Sequence, residues 1–209
     1  MGGGPGDRAV PCHDDRVTVT LSRDLVVSTA RAQLERDGSA QLSLRAVARE
    51  LGVTAPALYA YVADKRELLA AVATEHFERL IERFEAIDEP DPLDRIRAVA
   101  RAYVDHALES PGLFRLMFRF PPSSTSGVEA FPPAAQAFEV AAEATREAVA
   151  KGVLTVPDAD AACLTMWAAV HGVCEILLME FGFEGDAAEA FITDTIETVL
   201  AGQMAPRSS

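Results

Sequence analysis

Cysteine is scarce. The chain of 209 residues holds three, Cys12, Cys163 and Cys174, with no CxxC and no Cys/His pair at ligand spacing. That excludes a disulfide scaffold and leaves no zinc signature. The four histidines, His13, His76, His106 and His171, also lack metal-binding spacing, so neither a metal nor any other cofactor is expected. A Gly-rich phosphate loop, an HExxH motif and a nucleophile signature are all missing, which removes the usual marks of an enzyme. No segment alternates apolar and polar residues over the length of a strand, and no internal repeat is evident. Lysine is nearly absent: Lys65 and Lys151 are the two, and the other basic residues are arginine. The N-terminal MGGGPGDRAV has no apolar run of the secretory kind. The most apolar stretch, 163–183, contains His171, Glu175 and Glu180, groups that a membrane span would bury at high cost, so it reads as a buried helix. The expectation is a cytoplasmic protein without a membrane partner.

What is abundant is acid. Asp and Glu number 32 against 19 Lys and Arg, a formal net charge of −13, and the pI is near 4.7. As an average, that balance argues against a nucleic-acid partner. The average conceals a split. Residues 16–66 hold eight basic and five acidic side chains, a net of +3, whereas residues 71–209 hold 10 basic and 23 acidic, a net of −13. Such asymmetry points to two parts with different partners. Hydrophobic residues make up 49% of the chain, enough for a real core in one or two domains.

Residues 1–20 are Gly-rich, polar and aperiodic, and read as a disordered tail. From Ser22 the pattern is helical. Ser22 caps a helix carrying Leu25, Val26, Ala30 and Leu34 that stops near Gly38. Ser43 caps a second, with Leu44, Val47, Ala48 and Leu51 at i, i+3, i+4 and i+7. Gly52 ends it, and Thr54 opens a short third with Pro56 in its first turn. Asp64 caps a fourth, with Glu67 placed for a return bond. Its stripe runs through Leu69, Val72, Ala73, His76, Phe77, Leu80, Ile81 and Phe84. Further helices are expected over 92–108, 111–120, 133–150, 158–181 and 186–200, with a Pro-, Ser- and Gly-bearing loop at 121–130. The fold class is therefore all-α, with about nine helices.

Residues 44–63 carry the most specific signal. Two short helices flank a turn at Gly52, which can take the positive φ that a tight helix-to-helix turn often needs. Ala48 is small where the helices cross, and Val47, Leu51, Val53, Leu58 and Tyr61 fall where a helix-turn-helix buries its core. The run VTAPALYAYVADKRELL resembles the N-terminal domain of the TetR family of bacterial transcriptional regulators, in its Gly52-Val53 turn, its Leu58-Tyr59-Ala60-Tyr61-Val62 stretch and Lys65. Val62 departs from the family's usual Phe, at a core position. The run Trp-Ala-Ala-Val-His-Gly at 167–172 resembles, more weakly, the C-terminal domain of a WHG-type subgroup. The resemblance implies a DNA-binding domain at 21–68 and a helical ligand-binding and dimerisation domain at 69–205. It also implies DNA contacts by Ser43, Arg45, Thr54, Ala55, Pro56, Tyr59, Tyr61 and Lys65. Of these, Thr54 and Tyr59 suit hydrogen bonds, Ala55 and Pro56 a thymine methyl, and Tyr61 and Lys65 the backbone.

The implied partners are a palindromic double-stranded DNA operator, a small-molecule effector and a second copy of the chain. Candidates for the effector pocket are Phe77, Tyr103, Phe114, Met117, Phe118 and Trp167, with His171 as a polar group that Glu175, one turn on, can pair. Candidates for the dimer interface lie on the last two helices: Val170, Cys174, Leu177, Phe181, Ile192, Ile196 and Val199. The function expected is a ligand-responsive regulator, with repression as the family's prevalent mode. The alternative is a helical protein that binds a small molecule or a partner and keeps a vestigial DNA domain; an enzyme has less support.

Overall fold

Local capping explains where the helices begin. A first turn leaves N–H groups without intrahelical partners, and a side-chain oxygen just before it satisfies them. The Ser22 hydroxyl accepts from Leu25 N at 3.2 Å, Ser43 from Ala46 N at 3.1 Å and Asp64 from Glu67 N at 2.8 Å. Glu67 does reach back, but to Ala63 N at 2.6 Å, one residue before the position a capping box would use. Asp91 and Asp158 cap two later helices in the same way.

The computed structural model describes residues 21–38, 42–119, 132–179, 181–182 and 184–204. The expected tail at 1–20, the loop at 121–130 and Phe120 lie outside the described residues. Those described form nine helices: α1 (Arg23–Asp37), α2 (Leu44–Glu50), α3 (Ala55–Leu58), α4 (Lys65–Glu85), α5 (Pro92–Glu109), α6 (Pro111–Met117), α7 (Pro132–Ala150), α8 (Ala159–Leu178) and α9 (Asp186–Gln203). Among the described residues there is no strand, and one antiparallel bridge joins Leu154 to Met204. The chain is all-α, as its periodicity indicates.

Two hydrophobic cores organise the molecule. The first gathers Val26, Ala30 and Leu34 of α1, Val47 and Ala48 of α2, Leu58 of α3 and Leu68, Val72 and Ala73 of α4. The second gathers Phe77, Leu80, Ile81 and Phe84 of α4 with residues of α5 to α9. A boundary at residue 68 therefore falls inside α4, and the cores divide lower down, between Ala73 and Phe77. His76 sits at that division, 3% exposed. Its ring stacks on His106 of α5, centroids 3.9 Å apart and planes 26° apart. A second helix also serves both sides. From α6, Leu113 and Leu116 enter the first core, while Phe114 and Met117 enter the second.

Helix α8 is long and apolar enough to cross a membrane by length and composition. In the fold it packs against α5, α7 and α9, with Met166, Val170, Val173 and Cys174 buried. Ion pairs brace the outside of this bundle. Arg97 of α5 reaches Glu197 of α9 at 2.6 Å, Arg101 pairs with Glu189, and Arg95 reaches Glu147 of α7 at 2.7 Å.

Candidate nucleic-acid interface and apolar cavity

The turn between α2 and α3 has the geometry that a helix-turn-helix requires. Gly52 takes φ +69°. Val53 N donates to Ala48 O at 2.9 Å and Gly52 N to Arg49 O at 3.3 Å, closing α2 with a Schellman-type pattern around a left-handed residue. Leu58 and Val62 are buried behind the turn, 0% and 1% exposed. Their burial leaves the opposite side of α3 outward. Ser43, Arg45, Thr54, Pro56, Tyr59 and Lys65 are all exposed, and Ala55 is half-buried. Tyr59 stands out as a large aromatic at 59% exposure. Thr54 makes no cap hydrogen bond, so its hydroxyl is not committed to the helix it precedes.

Tyr61 is engaged inside the domain. Its half-buried ring packs against the first core, and its hydroxyl donates to Leu21 O at 2.9 Å. That bond ties the entry of α1 to the motif.

Electrostatics sharpen the charge split. In the second core's helices the guanidiniums are matched with carboxylates, Arg83 with Glu109, Arg95 with Glu147, Arg97 with Glu197, Arg101 with Glu189 and Arg146 with Asp160. In the N-terminal part, Arg45 and Arg66 are exposed and form no ion pair among the described residues, while the exposed Arg49 acts on the Glu50 carboxylate. Unneutralised cations thus gather beside the turn.

A cavity of about 520 Å³ opens between α4, α5, α6, α7 and α8. Five expected residues line it: Phe77, Tyr103, Met117, Phe118 and Trp167. Two stand behind the wall instead. Phe114 is fully buried and meets Tyr103 edge-on at 5.7 Å. His171 lies beyond Tyr103, with its Nδ1 2.9 Å from the Tyr103 hydroxyl. The expected His171–Glu175 pairing is therefore replaced by a His171–Tyr103 one. Trp167 Nε1–H donates to the same hydroxyl at 3.1 Å. Burial pushes the Tyr103 phenol well above its ordinary range and holds the His171 imidazole below its own. It also raises the Cys163 thiol to about 11.

Sequence reasoning missed one whole wall. Ala134, Ala137, Phe138, Ala141 and Thr145 of α7 line the cavity. The spacing of those alanines on one face was the available signal, a helix side kept small beside a large apolar space. Leu80 and Phe84, in the apolar stripe of α4, also reach the cavity.

The dimer expectation divides. Val170, Cys174, Ile192 and Ile196 are at most 5% exposed within a single chain and belong to its second core. Their assignment to an interface is corrected, because both stripes are apolar and periodicity cannot say which one faces inward. Leu177 and Val199 are half-buried, and Phe181 is 67% exposed. The outer face of α8 carries Ala161, Thr165 and Ala168, and that of α9 carries Ala187, Ala190 and Ala201, all exposed; Leu164, also exposed, lines the cavity.

Known proteins share both halves. A family model described as bacterial regulatory proteins, tetR family, matches residues 26–72. Another, described as tetracyclin repressor-like, C-terminal domain, matches residues 96–199. The chain is 30% identical over 172 residues to an HTH-type transcriptional regulator of Mycobacterium tuberculosis, covering 77% of this chain and 69% of that one. A solved protein of unknown function from a Rhodococcus species aligns with TM-score 0.80 at 27% identity, over 91% of this chain and 100% of the other. A TetR/AcrR-family regulator from Thermobifida fusca shares the fold with TM-score 0.68 at 23% identity, over 86% and 97% of the two chains. With the motif turn, the two-core bundle and both family models in agreement, the chain belongs to the TetR family of bacterial transcriptional regulators.

Proposed function

We propose that the chain is a repressor, a homodimer that holds a palindromic operator and lets go when a small molecule fills the cavity. The observation that carries the reading is the joint presence of an exposed recognition face and a roomy cavity, bridged by helices that enter both cores. Ser43, Arg45, Thr54, Ala55, Pro56, Tyr59 and Lys65 would meet DNA, with Tyr59 and Thr54 at base edges and Arg45 and Lys65 at phosphates. The small-residue faces of α8 and α9 would close against their copies, with Phe181, Leu177 and Val199 at the margin. The two-fold axis of such a pair sets two recognition helices on successive turns of the major groove, hence the palindrome. The protein works by binding, not turnover, and in the cytoplasm, where the operator is. Release requires the effector to favour the spacing that DNA does not fit, since equal affinity for both spacings shifts nothing.

A gel shift on palindromes upstream of the protein's own gene tests this. The expected result is a specific, salt-sensitive complex that Tyr59→Ala with Lys65→Ala abolishes while the dimer persists by sedimentation. Tyr61→Phe should leave that complex in place. Absence of a specific complex at any such palindrome would sink the proposal.

A further inference from the structure

Among the described residues that line the cavity, none is Asp, Glu, Lys, Arg or His. The guanidiniums of α5 are turned to the outside, on Glu147, Glu197 and Glu189. Residues 120–131, which join α6 to α7, contain no Lys, Arg or His and one acidic residue, Glu129, so that segment has no cation to bring. A carboxylate head entering this space would give up its water, find no counter-charge and face the negative sides of six aromatic rings.

Two spots in the wall are polar. The Thr145 hydroxyl is engaged with the Cys163 thiol. The other is the Tyr103 hydroxyl. The Trp167 indole is a donor only, so at 3.1 Å the Tyr103 oxygen accepts from it. The His171 Nδ1 at 2.9 Å can play either part, because a neutral imidazole carries its proton on one nitrogen or the other. With Nδ1 accepting from Tyr103, the phenolic oxygen keeps a lone pair for an incoming O–H. With Nδ1–H donating, the phenolic O–H is left for an incoming carbonyl. The anchor thus serves one neutral oxygen of either kind.

We infer that the cavity takes an uncharged, predominantly hydrocarbon ligand bearing one hydroxyl or carbonyl that hydrogen-bonds to Tyr103, and that it refuses the corresponding carboxylate. The volume suits a compact small molecule. This inference rests on the cavity being the effector site.

Trp167 is the chain's single tryptophan, and it lines the cavity, so its emission reads occupancy without DNA. The full-length protein is titrated with dodecanol and dodecanoate, which share a hydrocarbon chain and differ in head group, at about pH 8, where the acid is ionised. Dodecanol is expected to saturate the Trp167 response, with dodecanoate at least about ten-fold weaker. Tyr103→Phe should weaken dodecanol by about three- to ten-fold and compress the preference. Dodecanoate binding as tightly as dodecanol, or neither probe changing the emission, overturns the inference. If Tyr103→Phe does not fold, the head-group ranking on the unmodified protein decides alone. Operator binding by probe-free protein, measured alongside, is a separate readout: its failure strikes the repressor reading, whereas ion binding strikes only the ligand class.

Discussion

At the scale of single residues, His76 has the most exacting position. Neither of its ring nitrogens has a hydrogen-bond partner among the described residues, and the same holds for His106 Nε2. Burial and the proximity of the two rings hold His76 down to about 3 from its ordinary 6.5, with Arg79, Arg83 and Arg31 acting in the same direction. His106 lies at about 4, lowered mainly by burial and opposed by Glu109. The unfolded chain takes up these protons near 6.5, the folded chain not until far lower. Between those values the unfolded state binds more protons, so stability falls as pH drops from about 6.5 towards 4. Melting temperature measured from pH 7 to 5 should decline in the natural chain, and His76→Phe should flatten that decline by about one proton's worth of slope. An equal slope in both proteins would count against a neutral pair. Tyr61 teaches a different lesson about legibility. Its place in the motif is plain from its neighbours, but the oxygen that captures its hydroxyl belongs to Leu21, 40 residues earlier, and no local pattern carries that.

At the scale of elements, the turn after α2 is the most legible piece of the chain because its physics is local. A residue at φ +69° favours glycine, and the space around a Cβ at Gly52 is open. Gly52→Ala should therefore cost backbone strain alone, about 1 kcal/mol, read as a lowered midpoint in urea, while Gly52→Asn should cost less. A neutral Gly52→Ala would mean that the turn relaxes. Helix caps were legible for the same reason, since Ser22, Ser43 and Asp64 act within three residues. The faces of α7, α8 and α9 were not. Each helix offers more than one apolar stripe, and only its neighbours decide which stripe is core, which is cavity and which stays outside. Val170 shows the outcome, an expected interface residue that lines the cavity from within the core.

For the whole molecule, the charge of −13 no longer weighs against DNA. The acidic bundle has matched most of its own cations with carboxylates, Arg115 is held by the Leu178 carbonyl, and the exposed Arg45 and Arg66 lie beside the turn. Repulsion of the bundle by DNA would orient the dimer with that small face inward. With so few free cations, the salt dependence of operator binding should be shallow, about 4–6 phosphates neutralised per dimer. A log–log slope well beyond that would place Arg8 and Arg16, in the segment 1–20, on DNA as well. On the proposed reading, occupancy becomes release through mechanics, and α6 frames it. Seven residues make two turns of a stiff rod, one side seated in each core. Such a rod cannot yield on one side only. On that reading, displacing Met117 would tilt Leu113 and Leu116, so a change of volume on one side would leave as a change of angle on the other, geared by the width of a single helix.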